Sequence, residues 1–394
     1  MTCCSPRVSN GVQPVAAEGY FSKVTRGFVK IWDLGAALRI WAFDPIVWAF
    51  DPIVKAEMYG ARKRANMSRM GRRDMLRGFV AAGLLSGVGA VPTAAAEPVT
   101  LRLGYGGAAE EQVWLLIAKP ELGKNHGKSY KLDATRFQSS DKRAQAFEAG
   151  AIDLSEGSAT GVIFAAAEGV TSKIIASITK ESSRAFSTAF YVPDESTIKS
   201  VPDMTGKIVG INGFSTAGHL WLKAALEKHG LSDKDVTITP VPFPAMQEAL
   251  RAGKIDVGEF PQPFAALLEN QAKVRKIFNA KYGVPFDEEL IVIAGKDEFL
   301  KKNPAAIRGF LEDVKAATRF YLDQPKEARQ LLIDAKMVRV SPEVYLTMND
   351  YYRDPTLRPD AEALAKMQEF QIKAGFQKKS ADIKALVDAS YLSD

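Results

Sequence analysis

Hydroxyl and amide side chains recur where apolar runs hand over to helical patterns. The sets are Gln138-Ser139-Ser140, Ser158 with Thr160, Asn212, and Ser215-Thr216, with His219 one turn further on and Glu259 and Gln262 after a later run. Such residues at a helix start leave backbone N–H groups open. Those donors, with the helix dipole, favour an anion by about 0.3–2 kcal/mol per terminus. The commonplace role of the same side chains is capping, which needs no ligand. Their recurrence at matched loops in both halves of the chain argues for a shared binding site. Glu259 complicates a purely anionic ligand, because a carboxylate would repel it and would suit the ammonium of a zwitterion. Glu110 and Glu156 are expected to be solvated loop charges, and Phe214, Phe243, Phe260 and Trp114 to line an apolar wall or pack in the core.

Residue types that carry catalysis are sparse. The three histidines, His126, His219 and His229, have neither partners nor metal-ligand spacing in sequence, so no metal site and no cofactor are expected. Both cysteines, Cys3 and Cys4, lie at the start, so no thiol nucleophile follows. The glycine-rich GYGG and NGFSTAG lack the Gly-Lys-Ser/Thr ending of a phosphate-binding loop. No catalytic residue is assigned. The pattern proposes binding rather than turnover.

An internal repeat supplies the elements that position these loops. AFEAGAIDLSE (146–156) and ALRAGKIDVGE (249–259) share six of eleven residues, 103 positions apart. Before them, KLDATRF (131–137) parallels VTITPVPF (236–243), and TLRLGYGG (100–107) parallels GKIVGING (206–213). Each of the last two precedes a helix with a tryptophan, Trp114 or Trp221. Each copy reads strand, helix, strand, helix, short strand, with the second helix stopped at Gly150 or Gly253. Strands alternating with helices predict α/β lobes with mostly parallel sheets. The expected division is lobe one at 97–187 plus 289–394 and lobe two at 188–288, joined by crossing strands at 184–192 and 288–294. Asn303-Pro304 should start a helix reaching about Leu322, with further helices near 326–335, 342–352, 359–374 and 380–389.

Upstream of the repeat the chain changes character. MSRMGRRDMLRGFVAAGLLSGVGAVPTAAAEPVT (67–100) has basic residues, an uncharged run and small residues before Glu97, the order of an export signal. The uncharged run is short and rich in Gly and Ala for a membrane span, which needs about 20 strongly apolar residues. Arg72-Arg73 gives residues 67–96 a twin-arginine character, with general secretion as the other route. No cysteine follows, so a lipid anchor is not expected. Residues 1–66 contain WAFDPIV twice in tandem (41–47, 48–54). They are expected to be a disordered leader or an upstream extension preceding the true start at Met67. The whole chain has 52 Lys+Arg against 46 Asp+Glu, but residues 97–394 hold 39 against 40. The basic excess therefore belongs to the first 96 residues, and nucleic-acid binding has no support.

SVPDMTGKIVGINGFSTAGHLWLKAALEKHGL (200–231) and VTITPVPFPAMQEALRAGKIDVGEFPQPFAAL (236–267) resemble periplasmic substrate-binding proteins of ABC importers for nitrate, sulfonates and taurine. The likeness runs over essentially all of 98–394 and rests on Asp203–Gly213, the His219 helix, AGKID and Pro263-Phe264. Many relatives carry Glu just before Pro-Phe, where this chain has Gln262. The resemblance implies an α/β, two-lobe periplasmic-binding-protein type II fold with two crossover hinge strands, closing like a flytrap. It further implies a soluble periplasmic receptor that captures a small acid and delivers it to permease subunits. An enzyme or a ligand-sensing domain on the same scaffold, related to pyrimidine-precursor proteins, is the alternative. N-terminal sequencing of the exported protein should begin at or near Glu97; retention of residues 1–66 would overturn the signal assignment.

Overall fold

The computed structural model describes residues 97–393. The leader, the tandem heptad and the export segment lie outside the described residues. The elements are strands β1 (Val99–Tyr105), β2 (Tyr130–Arg136), β3 (Leu154–Ser158), β4 (Lys173–Glu181), β5 (Ala189–Pro193), β6 (Ile208–Ile211), β7 (Thr237–Pro240), β8 (Val257–Phe260), β9 (Val274–Asn279) and β10 (Glu288–Gly295). Between them run helices α1 (Glu111–Ala118), α2 (Ser140–Glu148), α3 (Ala159–Ala167), α4 (Ala217–Glu227), α5 (Phe243–Arg251), α6 (Phe264–Gln271) and the single turn α7 (Ala280–Gly283). After β10 come α8 (Asp297–Lys302), α9 (Pro304–Asp323), α10 (Pro325–Asp334), α11 (Pro342–Thr347), α12 (Ala361–Lys373) and α13 (Ile383–Leu386).

Two five-stranded sheets form, ordered β2-β1-β3-β10-β4 and β7-β6-β8-β5-β9. The orders are the same pattern twice. In each, the first three strands are parallel and the fourth runs antiparallel to both neighbours: β10 against β3 and β4, β5 against β8 and β9. This is the two-lobe α/β architecture with two crossings of the chain, after β4 and after β9. Every residue of β10 is buried, as befits a central strand covered on both faces. Trp114 on α1 and Trp221 on α4 are among the largest fully or nearly fully buried side chains, so the paired tryptophans belong to the packing of the two halves.

The shared AG motif ends its helix the same way in both copies. Gly150 and Gly253 have φ of +76° and +66°. The Gly150 N–H donates to Phe147 O and the Ala151 N–H to Ala146 O; Gly253 and Lys254 repeat this with Leu250 O and Ala249 O. Both are Schellman ends, which need a left-handed residue and so favour glycine.

The C-terminal part departs from the periodicity. The helix expected at 342–352 stops at Thr347, and the helix expected at 380–389 is only Ile383–Leu386. Residues beyond Thr347 have tertiary partners instead: Asp350 O accepts from the Phe186 N–H and Tyr352 O from the Lys180 N–H, both at 2.9 Å. Arg353, with only 3% of its surface exposed, pairs with Glu111 and, at 2.9 Å, with Asp350. Arg329 reaches the other Asp350 oxygen at 3.0 Å, and Tyr321 donates its hydroxyl to that oxygen. Removing one member of a buried ion cluster leaves uncompensated charge. Arg353→Met should therefore lower stability by about 3–5 kcal/mol, read as a shifted urea midpoint.

Candidate functional site

A cleft lies between the two sheets, walled by loops at the carboxyl ends of their parallel strands. From the first sheet come Gly106–Glu110 after β1, Phe137–Ser140 before α2, and Ser158 before α3. From the second come Asn212 and Thr216–Gly218 around the start of α4, Phe243, Glu259 and Pro261. Thr188 and Leu290-Ile291 from the crossing segments and Tyr351 complete the lining with Arg143 and Trp221. Carboxyl ends of parallel strands are where open α/β sheets present backbone donors and loops to a ligand.

Seven of the sequence-predicted residues converge on this cleft: Gln138, Ser139, Ser140, Ser158, Asn212, Thr216 and Glu259. Four are engaged elsewhere. Thr160 is buried inside α3, its carbonyl accepting from Gln371. Ser215 has φ of +57° and faces a second cavity beside Phe214, on the far side of α2. His219 accepts the Ser215 N–H at Nδ1 and packs its ring between Phe214 and Phe376. Gln262 donates to Asn349 O at 2.9 Å and accepts the Ala266 N–H, while its own N–H reaches the Tyr351 hydroxyl.

The two helix starts expected to hold an anion are already filled by the chain's own oxygens. Ser140 donates from both its backbone N–H (3.1 Å) and its hydroxyl (2.8 Å) to Asn212 Oδ1, a bridge across the cleft. At α4 the Glu259 carboxylate lies against Gly218, where an added Cβ would sit 2.3 Å from its atoms, and it accepts the Asn212 N–H at 3.0 Å. Capping is uneven: Ser158 accepts the Gly161 N–H, whereas Ser139 and Thr216 make no side-chain cap bond.

Glu110 and Glu156 are not solvated loop charges. Glu110 is 1% exposed, pairs with buried Arg143 at 3.1 Å and accepts the Gly106 N–H. Glu156 is fully buried on β3, and neither of its oxygens has a hydrogen-bond partner. Its position inside a buried strand, rather than in the loop that follows, removes it from water. Burial first, then the neighbouring Glu110, hold its carboxyl well above the ordinary range. Burial also pushes Glu259 up to about 7 against the opposing Asn212 N–H, with Glu181 adding repulsion. Of the candidate wall residues, Phe243 lines the cleft, Phe260 is in the core, Trp114 lines a separate cavity, and Phe214 is half exposed.

Arg143, Thr188 and Tyr351 were not foreseen. Arg143 stands three residues after Ser140 on the same helix face, a spacing that could have marked it. Tyr351 has no counterpart in the repeat and reaches the cleft only through the tertiary anchoring of Asp350–Arg353. Among the described residues no group of three or more His, Cys, Asp or Glu side chains is placed to hold a metal ion.

Residues 131–328, half of the chain, match the model of the family described as NMT1/THI5 like. The chain belongs to that family. A Haemophilus influenzae protein named for thiamine biosynthesis is 30% identical to this family member over 200 residues, 48% of this chain and 61% of that protein. The matched stretch thus spans less than two thirds of that relative. Solved folds align over more of the chain. The alkanesulfonate-binding protein of Xanthomonas axonopodis pv. citri bound to MOPS matches 75% of this chain and 99% of its own, at 20% identity and a TM-score of 0.62. The periplasmic nitrate-binding protein of Synechocystis PCC 6803 matches 75% and 87%, at 13% identity and a TM-score of 0.60. At these identities the likeness is one of fold, the two-lobe periplasmic-binding architecture that the sequence resemblance implied.

The buried carboxyls set a pH dependence. Glu111, Glu181 and Glu259 are each pushed up to about 7, burial being the largest cause for each. A raised carboxyl pKa means the folded state holds a proton that the unfolded chain has released. Stability is then full below about pH 4.5 and falls as pH rises through 7. Each group should account for roughly 1–3 kcal/mol of that fall. Urea midpoints at pH 5 should exceed those at pH 8, and Glu259→Gln should flatten the slope.

Proposed function

We propose that this chain is the solute-binding component of an ABC importer, holding one small solute between its two lobes. The observation that carries the reading is the cleft itself: loops from both sheets converge on it, and Ser140 and Asn212 bridge across it. Support comes from the fold neighbours, whose names include sulfonate and nitrate binding, and from a site without a paired nucleophile and base. Export through residues 67–96 would place the protein in the periplasm. Among the described residues no helix is long and apolar enough to cross a membrane, so delivery would require separate permease subunits.

In this reading one lobe takes the solute first, and closure adds the contacts of the other and excludes water. A solute shifts the open–closed equilibrium only by its differential affinity for the two states. Gln138, Ser139 and Thr216 supply polar groups around the solute, and Phe243, Leu290 and Tyr351 supply the apolar wall. A zwitterionic acid of the taurine type fits better than nitrate, because Glu259 faces the cleft. The name of the Haemophilus influenzae relative favours a second solute class, a thiamine precursor, for the same importer role.

Asn212→Ala removes the only acceptor that Ser140 uses across the cleft. The ligand-free protein should then show a larger radius of gyration in small-angle scattering. Affinity for a solute that closes the native protein should fall about tenfold, the order expected for losing two hydrogen bonds. Failure of taurine, nitrate, sulfonates, carboxylates and pyrimidines alike to change the scattering profile of the native protein would count against the importer reading.

A further inference from the structure

The cavity lined by Trp114 is separate from the cleft, and the two linings share only Gly107 and Gln138. Its charged lining residues are Arg136 and Arg339, and among the described residues no carboxylate lines it. Neither arginine forms an ion pair among the described residues. Arg136 donates from Nη1 to Met337 O at a long 3.4 Å, and Arg339 has no partner there at all. Arg136 Nη2 lies 2.9 Å from where a Cβ on Gly107 would sit, so the guanidinium rests between two lining residues, Gly107 and Met337. Trp114 is 1% exposed, and its indole N–H has no acceptor among the described residues. On the other wall Phe264 and Leu267, three residues apart on α6, are partly buried apolar side chains. Donors are thus in excess, beside an apolar surface. Guanidinium forks pair with carboxylate, sulfonate and phosphate groups, often through two hydrogen bonds at once. An apolar body gains by covering Phe264 and Leu267.

We propose that this cavity is a second binding site, outside the cleft, for a small amphiphilic acid. The acid group lies between Arg136 and Arg339, and the apolar body lies on Phe264 and Leu267. Its occupant is a different molecule from the solute of the cleft, so the site stands whether or not the importer reading does. Arg136 ends β2 and Arg339 follows α10, both on the side of the first sheet, whereas α6 belongs to the second. An acid that touches both walls therefore favours the arrangement of the halves seen here, by as much as its affinity for that arrangement exceeds its affinity for others.

The test titrates the purified full chain with 4-bromobenzoate, 4-bromobenzenesulfonate and 4-bromophenyl phosphate, and with 4-bromobenzyl alcohol as the neutral counterpart. By calorimetry at least one acid should bind about tenfold more tightly than the alcohol, the order expected for charge-assisted hydrogen bonds. Arg136→Met combined with Arg339→Met should abolish that preference, with unchanged circular dichroism excluding misfolding. The double Lys variant keeps the charge without the fork and should retain only part of it. Leu267→Trp, which fills the cavity, should block the acid. Anomalous scattering from bromine in co-crystals should place the ring against Phe264 and Leu267. No binding by any of the three acids would overturn the proposal, as would equal binding of the alcohol or full affinity in the double Met variant. Bromine found in the cleft alone, beside Phe243, would also sink it while supporting the solute-binding reading.

Discussion

Strand β10 is the piece on which the first sheet depends, because β3 and β4 have no other common neighbour. The chain can supply that strand only after it has built the second sheet, and it supplies β5 to the second sheet only by leaving the first. Each half therefore has a central strand that ties it to the connection with the other half. That constraint explains why the site lies between the sheets. The same antiparallel strands that complete each ladder bring Leu290 and Ile291, and the approach to β5 brings Thr188, to the cleft wall.

Two buried clusters of charge show opposite solutions to the same desolvation cost. Around Arg353 two carboxylates, Glu111 and Asp350, share two guanidiniums and a tyrosine hydroxyl. That balance makes a structural joint between α1 and the segment after α11. At and behind the cleft, Glu110, Glu156 and Glu259 have one guanidinium among them, and burial holds the Glu156 carboxyl well above its ordinary range. An unbalanced cluster has a physical rationale only where something else completes it. Neither cluster is fully satisfied: in the joint Glu111 Oε1 has no partner, and behind the cleft neither oxygen of Glu156 has one.

The architecture was legible because it is written twice. AFEAGAIDLSE and ALRAGKIDVGE fixed the position of a helix end that requires glycine, and the spacing between copies implied two equivalent halves. Seven of the cleft-lining residues followed from one rule, that loops after parallel strands face a ligand. The failures share a cause. Glu110 and Glu156 looked exposed because charged residues near loops usually are, and nothing local announces that Arg143 will fold over one of them. The end of the helix at Thr347 is equally invisible, since Asp350, Tyr351 and Arg353 are drawn out of helical geometry by partners more than 130 residues away in most cases.

The repeat reaches further than its sequence identity suggests, into how each half carries its carboxylate. In the first half Glu110 folds back on its own loop, and an added Cβ on Gly106 would lie 2.9 Å from its Oε1. In the second half Glu259 comes from the strand end and rests on Gly218 with the same intolerance of a side chain. The residue types agree while their chain positions differ, so the likeness is of environment and not of alignment. In both, a glycine lets a carboxylate approach a backbone N–H closely. The halves then diverge in one respect: Glu110 has Arg143, and Glu259 has no ion-pair partner among the described residues. A cleft built from two similar carboxylate cradles, one neutralised and one not, is asymmetric in charge even though its walls are nearly symmetric in fold.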